Sequence, residues 1–201
     1  MSIVEAKKYI DELHKRQDNP YLWPDFLTGL PDKAAIIKKL DEIYPQLGHY
    51  SIVYIRIANI HPYLIKYGPD KHADIIQWAA AILKTNCDKF KGCFVATVST
   101  HEFVVIRETR NITRYIKDVM KMFNKKVETY YAKEDQRNKT ILSFTRNGEK
   151  VNIGLMKMVS VVVNEKTLIE KSVLIREMGI ACDGLGSRDD DILILDDIAG
   201  D

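Results

Sequence analysis

Residues Phe94 to Ile106 read FVATVSTHEFVVI. Two apolar, β-branched runs flank Ser99-Thr100-His101, and Glu102-Phe103 opens the second run. Such runs, joined by three small or polar residues, predict a tight hairpin whose turn presents polar side chains at a sheet edge. If the chain has an active site, this turn is where it belongs.

Working back from the hairpin, Ile75, Ile76, Ala79, Ile82 and Leu83 give the apolar face of a helix ending near Asn86. A shorter helix over His61 to Lys66 is broken off by Gly68-Pro69. Ser51 to Ala58 is apolar almost throughout, which predicts a central strand covered on both faces, with Arg56 as its one charge. Before it, Asp32 starts a helix whose Ile36, Leu40, Ile43, Tyr44 and Leu47 share a face and which Pro45 and Gly48 should end. Asn19-Pro20 and Trp23-Pro24 mark a linker. Ahead of it, Ile3, Ala6, Ile10 and Leu13 lie at helical spacing, expected to dock on the same domain, with a second copy as the alternative.

Beyond the hairpin, Asn111 is the expected N-cap of a helix with the stripe Ile112, Tyr115, Ile116, Val119, Met120 and Phe123. Polar Tyr130 to Lys139 reads as a loop. Thr140 to Arg146 and Glu149 to Val163 flank Asn147-Gly148, a strong two-residue hairpin signal, and the second arm is long enough to continue into the main sheet. A helix from about Thr167 to Ala181, a strand from Asp191 to Leu195 and an acidic tail follow. The order predicts an α+β fold of the ferredoxin-like kind: a central, mostly antiparallel sheet flanked by helices, with an extra β-hairpin. Residues 1–24 form an N-terminal helix and linker, and 25–201 the domain.

Composition narrows the function. The chain has 201 residues, 46% of them hydrophobic, with thirty basic and twenty-eight acidic side chains and a formal charge of +2. That length and apolar content suit one sizeable core. The balance gives no electrostatic reason to expect nucleic acid or an anionic membrane as partner. No apolar run approaches the roughly 18 residues of a membrane span. Cys87, Cys93 and Cys182 lack metal-site spacing and are odd in number, so neither a disulfide framework nor a zinc cluster is expected, and a reducing cytoplasm is. Lys121, Lys125 and Lys126, beside Glu128, Glu134 and Asp135, read as a solvated helix end.

Asp25-Phe26-Leu27-Thr28-Gly29-Leu30-Pro31-Asp32-Lys33 resembles the D-x-L-T-G-L-P-N-R opening of diguanylate cyclase, or GGDEF, domains. In that family a helix, the first core strand and the signature hairpin follow at the spacings seen here. Ser99-Thr100-His101-Glu102-Phe103 occupies the signature G-G-[D/E]-E-F, keeping its Glu and Phe. Thr145 to Glu149 and Met158 to Val163 resemble a subgroup with an extended hairpin before its S-I-G-V strand. The resemblance covers roughly Asp25 to Leu195 and implies the palm-type GGDEF fold.

Active family members join two GTP molecules into cyclic di-GMP at a dimer's two half-sites, using magnesium on oxygen ligands. The resemblance lets each role be checked by position. Arg56 stands where the family has a metal-binding Asp, and a guanidinium offers no acceptor and repels a cation. His61 replaces a phosphate-contacting Lys, while Leu64 and Ala73 replace the Asn and Asp that read guanine. Ser99 and Thr100 replace the glycines that admit phosphate, and His101 the second metal-binding acid. Cys182 and Gly186 fall where a phosphate-binding Lys and Arg are expected. Phe90-Lys91-Gly92-Cys93 lacks the inhibitory R-x-x-D pattern, so no standard product-binding site is predicted.

Metal, base and phosphate contacts are lost together while the apolar pattern persists. The expectation is a catalytically inactive domain acting through a protein partner in bacterial signalling, possibly as a homodimer. No cofactor is expected, magnesium being needed only by an active cyclase. A second reading keeps GTP or cyclic di-GMP as a sensed ligand, held by Arg56, His61, Ser99, Thr100 and His101. A third, ranked lowest, is altered acid-base chemistry on Glu102, His101 and His61. Against both stand ordinary roles: Arg56 as an ion-paired strand-end residue and Glu102 as a solvated or structural carboxylate. His72 and His49 have no motif partner.

Overall fold

A computed structural model of the chain describes residues 3–16, 25–165, 167–187 and 190–195. The linker prolines and the acidic tail lie outside the described residues. Helix α1 (Ile3–Arg16) is followed by α2 (Lys33–Ile43), whose N-cap Asp32 accepts from the Ala34 and Ala35 amides, and by a 3-10 turn over Tyr44–Gln46 that carries Pro45. Strand β1 (Tyr50–Ala58) leads to α3 (Ile60–Tyr67), α4 (His72–Cys87), β2 (Phe94–Ser99), β3 (Glu102–Glu108) and α5 (Ile112–Val127). Then come α6 (Lys133–Asn138), β4 (Thr140–Arg146), β5 (Glu149–Gly154), β6 (Lys157–Val163), α7 (Lys171–Asp183) and β7 (Ile192–Ile194).

The main sheet has the order β2-β3-β1-β6-β7, antiparallel except for the β6-β7 pair. The strand read as central is central. Its alternation explains the near-continuous apolar run: Val53, Ile55 and Ile57 enter one core with α1, α4 and α5, while Ile52, Tyr54 and Ala58 enter a second with α2 and α7. Ala6 and Ile10 of α1 are buried in the first core, so the N-terminal helix docks on its own domain.

Asn147 and Gly148 have φ of 52° and 84°, the positive values that a two-residue turn of type I′ demands, and close the β4-β5 hairpin. That hairpin forms its own two-stranded sheet. The chain breaks at Leu155-Met156, where the Met156 amide donates to the Tyr131 hydroxyl at 2.8 Å, and then enters the main sheet as β6.

Three expectations need correction. Asn111 caps α5 by position only, in a left-handed conformation and without a side-chain hydrogen bond. The segment read as a loop contains α6, because Asp135, 6% exposed, turns inward to accept from Lys66 Nζ at 2.7 Å and from the Tyr67 hydroxyl. Cys87 and Cys93, expected to be free, form a disulfide. Hydrogen bonds from the Phe90 amide to Cys87 O and from the Cys93 amide to Phe90 O turn the chain between α4 and β2, bringing their Cα atoms to 5.4 Å. Cys182 is free and buried. No helix among the described residues is long and apolar enough to cross a membrane.

The hydrogen bonds from Lys66 and then Tyr67 hold the Asp135 carboxyl below its usual range, against a smaller effect of burial. A lowered native pKa stabilises the fold above about pH 4, and the contribution is lost as pH falls through that native value. Asp135→Asn is therefore expected to lower the urea midpoint at pH 7 and to lower it progressively less below about pH 4. Paired urea titrations at the two pH values check this.

Candidate functional site

The C-terminal end of β1 and the β2-β3 turn enclose a cleft of about 400 Å³, lined in part by Arg56, His61, Ser99, His101, Glu102 and Asp183. These include most of the positions singled out from sequence. The turn is one residue tighter than expected: Ser99 pairs across from Glu102, leaving Thr100-His101 as its corner, with a register shift between Thr97 and Ser99. The Ile57 amide donates to the His101 carbonyl at 3.0 Å and ties the turn to β1. Thr100 points elsewhere, lining a separate pocket with Asp25, Thr28 and Asp32.

On the α7 side of the sheet, strand register decides the chemistry. Arg56 lies directly opposite Glu102. Its Nε and Nη2 donate to Glu102 Oε1 at 2.8 and 2.5 Å, and Nη1 donates to Asp183 Oδ1. Ser99 Oγ donates to Glu102 Oε2 at 2.6 Å, occupying the other carboxylate oxygen. Burial works to raise the Glu102 pKa, but hydrogen bonds from Ser99, Arg56 and Tyr54 outweigh it and hold the carboxyl below its usual range. Burial and the neighbouring Glu102 push the Tyr54 hydroxyl well above its usual range.

On the α4 side, His101 meets His72: their Nε2 atoms are 2.7 Å apart, one donating and the other accepting. His61 stands edge-on to His101 with ring centroids 5.4 Å apart. Burial, then the charges of His72 and His61, lower the His101 pKa to about 4, so its imidazole is neutral at pH 7.

The other positions carry no base- or phosphate-reading group. Leu64 packs against the core beneath α3, and Ala73 sits exposed in the first turn of α4. Cys182 is 1% exposed, and burial pushes its thiol up to about 11, against a smaller opposing effect of Arg56. At Gly186 a Cβ would lie 3.2 Å from the Ala58 Cβ. The donors at the two metal-ligand positions of the resemblance, a guanidinium and an imidazole, include no oxygen, and both oxygens of the remaining carboxylate are engaged within the protein. Asp183 and Tyr54 escaped the sequence reading, since no motif marks them.

No family model matches the sequence, and no curated relative does. Solved structures do match. The FimX GGDEF domain from Pseudomonas aeruginosa aligns with 85% of this chain and 98% of its own, at TM-score 0.56 and 11% identity. The chain has the GGDEF fold. The GGDEF domain of DgcB from Caulobacter crescentus, solved in complex with c-di-GMP, aligns with 85% of this chain and 94% of its own, at TM-score 0.55 and 14% identity. Diguanylate cyclase SiaD in complex with its activator SiaC, from Pseudomonas aeruginosa, aligns with 94% of this chain and 67% of its own, at TM-score 0.56 and 13% identity. Within this GGDEF fold the cleft of Arg56, Glu102 and the histidines lies at the signature hairpin.

Proposed function

We propose that this chain is a catalytically inactive GGDEF domain that serves cyclic di-GMP signalling as a regulatory, protein-interaction module. The observation carrying this reading is the guanidinium of Arg56, fixed between Glu102 and Asp183 at the place of a metal-binding aspartate. A guanidinium there offers magnesium no oxygen ligand, and its ion pairs engage the one signature carboxylate that remains. Loss of the guanine-reading side chains at Leu64 and Ala73 removes substrate selection independently of the metal. No cofactor is needed for this role.

The same pairing weighs against a nucleotide sensor, since Arg56 would have to leave two carboxylates to meet a phosphate. A protein partner fits better, and a GGDEF-fold neighbour solved with its activator gives a precedent for such contacts. The site is expected to yield no cyclic di-GMP when the chain is incubated with GTP and magnesium or manganese, as followed by chromatography. Calorimetry with GTP, ATP and cyclic di-GMP should be silent. Product formation would overturn the inactive reading, and a saturable heat with any of the three would replace the scaffold with a sensor.

A further inference from the structure

The turn between α4 and β2 is closed twice, by backbone hydrogen bonds and by the Cys87–Cys93 disulfide, whose partners are six positions apart. Residues 88–92 between them are all exposed, Phe90 among them at 42%. The two sulfurs differ in setting. Cys87 ends α4 and is 1% exposed within the core, whereas Cys93 stands just ahead of β2 and is only partly covered. A thiol arriving from solvent therefore meets the bond at the Cys93 sulfur. Cys182, the third cysteine, is buried in α7.

The loop that the disulfide closes also carries a cover for a buried cation. The Phe90 ring centroid lies 3.9 Å from the guanidinium carbon of Arg107, and the ring packs edge-on to Tyr115 at 6.1 Å. Arg107 is 7% exposed, and its one described hydrogen bond is long, from Nη2 to the Arg110 carbonyl at 3.4 Å. Its Nε is buried without a hydrogen-bond partner among the described residues. A guanidinium so placed depends on the rings against it, through cation–π attraction, to offset its lost hydration. Phe90 is the ring that sits on the disulfide loop.

We propose that Cys87 and Cys93 form a reversible thiol–disulfide exchange site, served by a dithiol reductant, whose state sets whether Phe90 is held on Arg107. One thiolate of the reductant attacks the Cys93 sulfur. The Cys87–Cys93 bond breaks, its electron pair leaves on Cys87, which takes up a proton, and a mixed disulfide joins Cys93 to the reductant. The second thiolate of the reductant then attacks its own partner sulfur in that bond and releases Cys93 as a thiolate, which is protonated in turn. Two electrons and two protons have passed to the pair, and the reductant departs as a disulfide. A low-molecular-weight disulfide runs the sequence backwards. In a reducing compartment a bond of this kind serves as a transient sensor rather than a permanent staple. Once it opens, the turn keeps only the hydrogen bonds from the Phe90 and Cys93 amides, and Phe90 is released from its fixed place over the guanidinium. The exchange site lies at the opposite end of α4 from His72 and of β2 from Ser99, so it is separate from the cleft and does not rest on that cleft being inactive.

The test treats the full chain with oxidised glutathione or with dithiothreitol, alkylates its thiols and locates the labels by mass spectrometry. Cys87 and Cys93 should become labelled together in dithiothreitol, with the fold intact by circular dichroism, while Cys182 stays unlabelled. Trypsin reads the loop itself, because Lys89 and Lys91 lie within it. Cleavage after these residues, followed on reducing gels, should be about tenfold faster in the reduced chain. Cys93→Ser should be cleaved at the faster rate in both buffers, and Cys182→Ser should respond as the parent does. In a nitrogen-15 spectrum the Arg107 Nε–H should exchange with water faster after reduction. A pair that stays reduced in oxidised glutathione, a bond that resists dithiothreitol until the chain unfolds, or loop cleavage and Arg107 exchange indifferent to the redox state would each overturn the proposal.

Discussion

Phe103→Ala is expected to cost about 3–5 kcal/mol of unfolding free energy, enough to unfold much of a domain of ordinary stability. Phe103 is 0% exposed, lies opposite Ile55 on one side and Thr97 on the other, and packs into the core that β1 shares with α4 and α5. Truncation would leave a ring-sized cavity in the middle of three strands, where neither neighbour can collapse into it. A urea titration followed by tryptophan fluorescence or circular dichroism measures the loss, and a cost below about 1 kcal/mol would contradict this placement. The result matters for function as well, because Phe103 is one of the two signature residues retained. Its burial accounts for its presence without any chemistry.

Arg56→Ala is the second large effect, expected at about 1–3 kcal/mol, since it leaves the Glu102 carboxylate half-buried without its cation. Both side chains of that pair are mostly covered, at 21% and 19% relative exposure. The Asp183 arm is 68% exposed and contributes little by comparison. Replacing Arg56 and Glu102 together by leucine should recover part of the loss, because the penalty comes from the stranded charge more than from the absent attraction. Equal destabilisation in the single and double variants would show that the pair contributes through packing alone.

Most of the architecture could be read from the chain because its core strands obey simple periodicities. Ser51 to Ala58 looked central for the reason that it is central, both faces being buried. Asn147-Gly148 declared its turn by residue type. The failures share a different cause, namely contacts between residues far apart in the chain. His72 and His101 are separated by 29 positions, so their meeting has no local signature. Asp183 reaches Arg56 only because α7 ends over β1. Helix α6 was hidden by its own polarity, since what fixes it is a buried hydrogen-bonded Asp135 rather than an apolar stripe. The Cys87–Cys93 pair was set aside because the cysteines are odd in number and lack metal-site spacing, although the turn between α4 and β2 brings the two together. In the candidate site, the positions were legible and the pairings were not: Arg56 was marked as misplaced, but its register with Glu102 decided what it does.

The packing around Gly186 and Arg56 also bears on which side chains this cleft can accept. An aspartate placed at position 56 would face Glu102 and Asp183, gathering three carboxylates where one cation now pairs with two. A long basic side chain placed at position 186 would begin with a Cβ only 3.2 Å from that of Ala58, so that neighbour would have to give by a few tenths of an ångström. Each of these substitutions is thus unfavourable until the other side chains around it have changed. The cleft is in this sense locked: its ion pairs and its close packing each oppose such a change taken alone.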